Sequence, residues 1–520
     1  MDTLLHKFTG KIKGVIEGFD RIIFKGILQP ICFPAGLNNL LLQNKVLNKD
    51  FKNWAQNTSA TIVQKAEEYS MDQCGSKILF LDSYKTRKEA LAHDLQTKSG
   101  VESGLIGAFS CVESCHTFKS VFNEKANYPQ LKSHASRCKH LYFYYDHKDY
   151  GFMSVRLQTW APYEVQIALN GREWLKRQLD KEGVKYFLSG NKFLDIENFE
   201  MAQRLLDSQL DTTWVETLDG LIPDILPSLE YKYDGPMTYS WTMWQSEWAK
   251  DYIFHDPNEL GYQMHPLLRH AFITGTSDRV LRYMGHSLKK NGQPHWKSDP
   301  ELETRIKFYY DGGRIKHWLY NNSLKLYNEK NVLRFELTMN DPTRFKIYRT
   351  VTGSDSDVKK FLPMRQGIAD IAVRAQVSSL KIKDFTEQIA TLKEDISVGE
   401  MLAKVTQPIK SNGKRYRGLD VMGKDLALLK AIADPKYNVD AITNKHLQAE
   451  LGKTPWANGL EGKRLSARIS RHLRLLREHG LIKKLPNQHR YRLTAKGRLL
   501  TTALNQFLGA NISDLFELTA

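Results

Sequence analysis

A chain of 520 residues is too long for a single hydrophobic core, and we expect two to four domains. Hydrophobic residues make up 41% and charged residues 26%, as in ordinary globular proteins, and no apolar run approaches the roughly 20 residues of a membrane span. The net charge of +17 is concentrated in one part of the chain, which favours a polyanionic partner over a general role of the charge in solubility.

The N-terminal residues and the cysteines indicate the compartment. The first residues, MDTLLHKFTGKIKG, contain no apolar core followed by small residues, so they do not form a secretory signal. The 5 cysteines are an odd number and few for this length, which favours a reducing cytosol over a disulfide framework. We expect a cytoplasmic, nucleoid-associated protein that does not contact a membrane.

Residues 1–350 alternate between strand-like and helical patterns. They predict an α+β region with a mixed or antiparallel sheet, divided into one or two subdomains. The predicted elements are two strands around a turn at 14–28, buried strands at 77–82 and 104–114, a hairpin with a third strand at 140–171, a helix at 241–254 and three antiparallel strands at 314–339.

Four acidic residues of this region suggest a site for two metal ions. Asp20 lies in the first predicted strand pair and Glu113 follows a later apolar run, while Glu247 and Asp251 are four residues apart on one face of a predicted helix. This order resembles the way in which RNase H-like transposases and resolvases place their carboxylates, and it implies Mg²⁺ or Mn²⁺ as cofactor. The alternatives are a solvated helix face and an ion pair between Asp20 and Arg21.

The three strands at 314–339 carry a second candidate site. Alternation along the strands sets Lys325 and Tyr327 near Arg334 and Glu336 on one face. Such a group can act on a phosphodiester, with Glu336 as a ligand of Mg²⁺ and with the cations on the phosphate. A cross-strand ladder of salt bridges is the alternative.

The segment NSLKLYNEKNVLRFELTM also resembles the hairpin of rolling-circle replication initiators of filamentous phages and related plasmids. The resemblance implies DNA strand cleavage, with Tyr327 and Glu336 among the catalytic residues. The chain departs from this family because it contains no His-hydrophobe-His triplet to bind the metal. The positions that match the family pattern are Tyr327, Lys330, Leu333, Arg334 and Glu336.

A group of cysteines and histidines offers another potential metal site. Cys111 and Cys115 have a spacing that zinc knuckles use, but Cys138 and His140 are too close in sequence for a tetrahedral site. We therefore expect buried, reduced cysteines and no structural zinc.

Two segments separate this region from the C-terminus. Residues 351–405 are helical in pattern and form a connector or a dimerisation arm, so a homodimer is one expected assembly. Residues 406–418, TQPIKSNGKRYRG, are rich in proline, glycine and charge and are predicted to be a linker. Residues 419–520 are then the C-terminal domain.

This C-terminal part carries most of the net charge. Residues 401–500 contain 22 Lys and Arg against 7 Asp and Glu. Within them, 464–478 predict an amphipathic helix, with Leu465, Ile469, Leu473 and Leu476 on one face and arginines on the other. Two short helices precede this helix, and a basic hairpin and a further helix follow it.

This order of elements resembles the MarR-like and related bacterial winged-helix domains. The resemblance implies that the basic helix enters the major groove of duplex DNA and that the hairpin is the wing. An RNA-binding or protein-binding winged helix is the alternative. The candidate nucleic-acid-binding residues are Arg464, Arg468, Arg471, Arg474, Lys483, Lys484, Arg490 and Arg492, with Lys325 and Arg334 from the N-terminal region.

The overall sequence resembles a widespread bacterial family of mobile-element type with a C-terminal winged helix. We find no P-loop, no dinucleotide-binding glycine motif and no serine nucleophile motif. The leading hypothesis is a metal-dependent DNA-cleaving or DNA-joining protein of a prokaryotic mobile element, such as a transposase, recombinase or replication initiator. The second is a non-enzymatic transcriptional regulator or nucleic-acid scaffold.

Overall fold

The protein has a mixed α/β fold built around one large sheet. A computed structural model describes residues 2–82, 85–225, 237–285, 302–310, 312–350, 359–391, 398–411, 413–434, 437, 441–486 and 488–509. Among the helices within these ranges, none combines the length and the apolar character needed to cross a bilayer.

The elements are numbered in chain order. The helices are α1 (Thr3–Lys7), α2 (Pro34–Gln43), α3 (Phe51–Cys74), α4 (Lys88–Ser99), α5 (Gly171–Lys181), α6 (Phe199–Ser208), α7 (Trp214–Gly220), α8 (Pro257–Thr274), α9 (Ser277–Tyr283), α10 (Ile371–Ala390), α11 (Val398–Thr406), α12 (Leu426–Ala433), α13 (Asn444–Leu451), α14 (Gly462–Glu478) and α15 (Ala495–Gly509). The strands are β1 (Ile12–Leu28), β2 (Leu79–Leu81), β3 (Gly104–Asn123), β4 (Tyr128–His147), β5 (Gly151–Gln158), β6 (Val165–Asn170), β7 (Tyr186–Ser189), β8 (Lys192–Ile196), β9 (Tyr239–Phe254), β10 (Leu302–Tyr309), β11 (Gly312–Leu319), β12 (Asn322–Glu329), β13 (Val332–Met339), β14 (Lys346–Thr350), β15 (Lys359–Pro363), β16 (Ile409–Ser411), β17 (Lys414–Tyr416), β18 (Ile482–Lys484) and β19 (Tyr491–Leu493).

The large sheet has 11 strands in the order β10-β11-β12-β13-β9-β1-β6-β5-β4-β3-β2. Neighbouring strands are antiparallel except β2 and β3, which are parallel. Helices α3, α8 and α10 pack on one face over the main hydrophobic cluster. Helices α4, α5 and α6 and the hairpin β7–β8 lie on the other face, which we call the polar face because it carries the charged residues described below.

Several predicted strands are confirmed. The three strands at 314–339 are β11, β12 and β13, paired in that order, with turns at Tyr320 and Lys330. The hairpin and third strand at 140–171 are β4, β5 and β6, and the buried strand at 104–114 is the first half of β3.

Three other predictions are corrected. Residues 14–28 form one continuous strand, β1, and not two strands around a turn. The strand at 77–82 is only Leu79–Leu81, and two of its three side chains are exposed because it is an edge strand. Residues 241–254 form strand β9 and not a helix, since pairing with β1 and β13 on both sides satisfies its backbone and overrides local preference.

The C-terminal elements have a hydrophobic cluster of their own, formed by residues between 401 and 504. The leucine face predicted for the basic helix is buried in it, and that helix is α14. The predicted connector is divided, because α10 packs on the large sheet whereas α11 packs against α15. The predicted linker contains the hairpin β16–β17. Residues 351–358 and 510–520, where two predicted boundaries fall, lie outside the described residues.

Candidate functional site

Four of the predicted acidic residues lie together on the polar face. Asp20 is on β1, Glu247 and Asp251 are on β9 and Glu336 is on β13, and these three strands are adjacent in the sheet. Glu336 pairs with Ala249, which is on the same side of β9 as both acidic residues of that strand. The two β9 residues therefore share a face as predicted, but the face belongs to a strand and not to a helix.

A β-bulge brings Asp20 to this face. Along the pair β1–β9, Phe19 faces Trp248 and Arg21 faces Glu247, so Asp20 is an extra residue without a partner of its own. In a regular strand, consecutive side chains point to opposite faces. Because of the bulge, both Asp20 and Arg21 line the same cleft.

Asp251 is the centre of a buried ion network. Its two carboxylate oxygens accept hydrogen bonds from Arg334 Nε at 2.5 Å and Nη2 at 2.8 Å, and Arg172 Nη2 donates at 3.0 Å. Arg334 Nη1 also lies 3.1 Å from Asp20 Oδ2, and Asn191 donates to Asp20 Oδ1 at 2.8 Å. Burial alone would raise the pKa of Asp251, but the two guanidinium groups hold that pKa below its ordinary value.

Glu336 is enclosed in a similar way. Lys325 forms an ion pair with its Oε1, and the Tyr327 hydroxyl donates to its Oε2 at 2.9 Å. Burial opposes ionisation of Glu336, but the Lys325 ammonium outweighs it and lowers the pKa of that carboxyl. Burial and the Glu336 carboxylate raise the pKa of Tyr327 well above its ordinary value. Tyr327 is therefore poorly disposed to act as a nucleophile in this arrangement.

Glu247 differs from its neighbours because it opens onto a cleft. It is half-buried, and burial followed by the carboxylates of Glu336 and Asp20 raises its pKa. The cleft encloses about 400 Å³ between the sheet and helices α4 and α5. Its acidic lining residues are Asp20, Glu89, Glu173 and Glu247. A carboxylate with a raised pKa in a cleft can act as a proton acceptor or as a ligand for a cation.

The predicted metal ligands are not arranged as a complete binding site. Across the described ranges, no group of three or more His, Cys, Asp or Glu side chains is placed to hold a metal ion. Asp251 and Glu336 are enclosed by cations, whereas Asp20 and Glu247 line the cleft, and Asp20 is in addition paired with Arg334 and Arg172. Two carboxylates are enough for Mg²⁺, which commonly completes its shell with water and phosphate oxygens.

Glu113 lies apart from the other four acidic residues. It is on β3, four strands from β1, which is about 19 Å at ~4.8 Å per strand. It accepts hydrogen bonds from Lys88 at 2.9 Å, Tyr142 at 2.5 Å and Arg156 at 3.2 Å. The structure therefore does not bring Glu113 to the cleft.

The cysteines and histidines of the possible zinc site are on β3 and β4. Cys111 pairs with His140 across the two strands, and both are buried. Cys115 and Cys138 are also buried. All three of these cysteines are free thiols.

Residues missed from the sequence complete the network and the cleft. Arg172 is in the first turn of α5, where Asn170 caps the helix by accepting hydrogen bonds from the backbone of residues 172 and 173. Asn191 is in the β7–β8 turn, and Glu89 and His93 are on α4. The cap at Asn170 is the one local signal that could have located the start of α5, but nothing local connects that helix with β9.

The C-terminal part presents a second candidate surface on α14. Arg464, Arg471 and Arg474 are exposed on its outer side. Arg468 is half-buried, with its guanidinium 4.6 Å from the centre of the Trp456 ring. Three of the four predicted arginines of this helix are therefore exposed to solvent.

The hairpin β18–β19 continues this surface in part. Lys483 and Lys484 are exposed, whereas Arg490 and Arg492 are half-buried. The Arg490 guanidinium lies 5.9 Å from the Tyr348 ring of β14. One side of the hairpin therefore rests near β14, and the lysine side is open.

Helix α13 supports α14 from behind. Asn444, in the first turn of α13, donates to the Ser466 carbonyl and to the Ser470 hydroxyl, both at 2.8 Å.

Comparisons with protein-family models, curated proteins and solved structures gave no match for the chain.

Proposed function

We propose that the protein binds duplex DNA through a winged helix formed by α12, α13, α14, the hairpin β18–β19 and α15. The observation that carries the proposal is the division of α14 into a buried leucine face and an exposed face with Arg464, Arg471 and Arg474. A helix supported in this way can enter the major groove, with guanidinium groups directed at phosphates and base edges. Release of counterions from the DNA supplies much of the affinity.

The test is duplex binding by the full chain, measured by fluorescence anisotropy over a range of salt concentrations. Replacing Arg471 by alanine is expected to weaken binding by about 1–3 kcal/mol if it contacts a base, and to lower the salt dependence if it contacts a phosphate. Lys119→Ala, an exposed cation on β3, is the matched control and should change neither quantity. Equal behaviour of the two variants would argue against α14 as the DNA-reading helix.

We further propose that the cleft beside Glu247 cleaves or joins a DNA strand with the help of Mg²⁺ or Mn²⁺, as in a protein of a mobile element. The supporting observations are that Asp20 and Glu247 line the same cleft and that burial, followed by the carboxylates of Glu336 and Asp20, raises the pKa of Glu247. A bound divalent cation would relieve the repulsion between these carboxylates. The metal would act as a Lewis acid on a phosphate oxygen. Asp20 and Glu247 would hold it, and Lys325 would orient Glu336.

Cleavage of supercoiled and single-stranded DNA with Mg²⁺ or Mn²⁺ tests this second proposal. Glu247→Gln is expected to abolish cleavage, and added metal should raise the thermal midpoint of the wild type but not of this variant. Glu113→Gln is the control, because that carboxylate lies outside the cleft. Loss of cleavage through Asp20 and Glu247 favours the RNase H-like arrangement, and loss through Glu336 alone favours the replication-initiator arrangement.

A wild-type chain that binds duplex DNA but cleaves no strand would favour the non-enzymatic alternative, a regulator or scaffold. In that case the exposed arginines of α14 retain their role, and the cleft is a structural feature of the sheet. RNA in place of DNA in the binding assay tests the remaining alternative for the C-terminal part.

A further inference from the structure

The polar face carries a group of five cations, of which the sequence analysis singled out only Lys325. Strands β10, β11 and β12 form the edge of the large sheet beside β13. Arg305 faces Lys316 across the first pair of strands, and Lys316 faces Lys325 across the second. Lys307 and Arg314 form a further facing pair. We call these five residues the cation ladder.

Facing cations destabilise a sheet unless something compensates them. Within the described residues, Arg305 pairs with Glu303 and Lys325 pairs with Glu336, so two members have an acidic neighbour. Lys316 lies with Nζ 3.4 Å from the centre of the Trp318 ring. Burial, followed by the charges of Lys325 and Arg314, lowers the pKa of Lys316 to about 8. A bound anion would stabilise the group.

The cation ladder is exposed at its β10 edge, is half-buried on β11 and β12, and lies beside the cleft. Helix α8 packs on the opposite face of β11 and β12, and Phe308 on that side stacks against His265 of α8. On the ladder side, Arg305 and Lys307 are exposed, and the Tyr309 ring is 42% exposed. From β12 the same face continues through Glu336 on β13 to Glu247 on β9.

We propose that the cation ladder binds the phosphates of a single-stranded nucleic acid and directs that strand along the sheet towards the cleft. Cations interleaved with aromatic rings suit an unpaired strand, because its bases are free to stack on the rings while its phosphates meet the cations. Trp318, whose ring lies beside Lys316 and Arg305, is the aromatic residue that we expect to stack on a base. The destination of the strand rests on the proposed strand cleavage, but its binding does not.

The experiment compares full-length variants in binding a labelled DNA strand of about 20 nucleotides, which exceeds most single-stranded binding sites. The ladder variant combines Arg305→Gln, Lys307→Gln and Lys316→Gln. The control removes the same number of exposed charges elsewhere, with Lys49→Gln, Lys52→Gln and Lys119→Gln. Circular dichroism of both variants establishes that they are folded.

The ladder variant is expected to bind the single strand about tenfold more weakly, and the slope of log affinity against log salt should fall by about 2, since each lost phosphate contact removes ~0.7. Lys316→Arg, which keeps the charge, should bind like the wild type. Duplex binding through α14 should not change. An affinity and a salt slope equal to those of the control variant would overturn the proposal.

Two further arms separate this proposal from the proposed function. If Arg471→Ala leaves duplex binding intact while the ladder variant loses the single strand, the winged-helix proposal fails and the ladder stands. If the ladder variant loses duplex binding as strongly as single-strand binding, the preference for an unpaired strand is wrong. Single-stranded RNA bound more tightly than DNA would assign the ladder to RNA.

Discussion

Asp251 shows how much of the central sheet depends on a single side chain. Its carboxylate is shared by Arg172 from α5 and Arg334 from β13, and all three side chains are buried. Asp251→Asn leaves two buried guanidinium groups to share the single carboxylate of Asp20, and we expect it to lower the free energy of unfolding by about 3–5 kcal/mol. Urea unfolding followed by circular dichroism measures the change.

The matched control is Asp195→Asn. Asp195 pairs with Lys13 at 2.5 Å, but the Lys13 side chain is exposed and the Asp195 side chain is only half-buried, so the loss of the pair should cost less than about 1 kcal/mol. Because the folded state lowers the pKa of Asp251, its contribution is present above the pKa of an unfolded aspartate and is lost as the pH falls through the folded value. The difference between wild type and Asp251→Asn should therefore shrink in acid. A difference that is independent of pH would show that the ion network is not its source.

At the scale of single residues, the sequence predicts those contacts that follow from the alternation of side chains within one hairpin. Lys325 and Tyr327 pair with Glu336 and Arg334 as expected, because a tight turn fixes the register of β12 and β13. The partner Arg172 could not be predicted in the same way. It reaches Asp251 from 79 positions away, and that contact exists only after the sheet and α5 have packed.

At the scale of elements, two bulges explain the two wrong predictions in the central strands. Gly14 and Gly18, which precede Asp20 in β1, face α6 on the polar face of the sheet. Arg21, which follows Asp20, lines the cleft on that same face. The residues that face the polar side are thus even-numbered before Asp20 and odd-numbered after it. In a sequence, such a shift in the alternation of side chains is typical of a turn between two strands. In β9, Trp244 is the extra residue, since Gln245 faces Ile23 and Met243 faces Phe24. The resulting spacing of the tryptophans mimics a helical period.

The structure of β1 and β9 depends on pairing with strands that are distant in sequence, and a short stretch of sequence does not contain that information. β9 lies between β1 and β13, which are more than 70 residues away in sequence on either side. Strand preference depends on such neighbours more than helix preference does. By contrast, α14 was predicted closely, because its leucine face has a regular period and Gly480 ends it with a positive φ of 74°.

At the scale of the whole molecule, the described residues contain two large hydrophobic clusters, one around the sheet and one within residues 401–504. Arg498 of α15 pairs with Asp384 of α10 at 3.8 Å, and Arg282 of α9 pairs with Asp434 at 3.3 Å, so polar contacts join the two parts. Such contacts couple folding units less strongly than a shared core does. We therefore expect the sheet region and residues 401–504 to unfold separately.

Leu473→Ala tests this expectation. The side chain is buried in the C-terminal cluster, and its loss should lower the stability of that part by about 2–5 kcal/mol. Hydrogen exchange followed by mass spectrometry should show faster exchange in α12, α13 and α14 and unchanged exchange in β9. Leu337→Ala on β13 is the control and should give the reverse pattern. Faster exchange in both parts with either variant would mean that the chain unfolds as one unit.

The unpaired position at Asp20 also limits how the first strand can vary in length. Deleting one of residues 17–19 would exchange inward and outward positions over the part of β1 that precedes the deletion, and would turn Ile16 away from α5 and α6. Deleting Asp20 itself would restore regular pairing between Phe19 and Arg21 but remove the carboxylate from the cleft. Strand β1 should therefore tolerate substitutions far more readily than insertions or deletions.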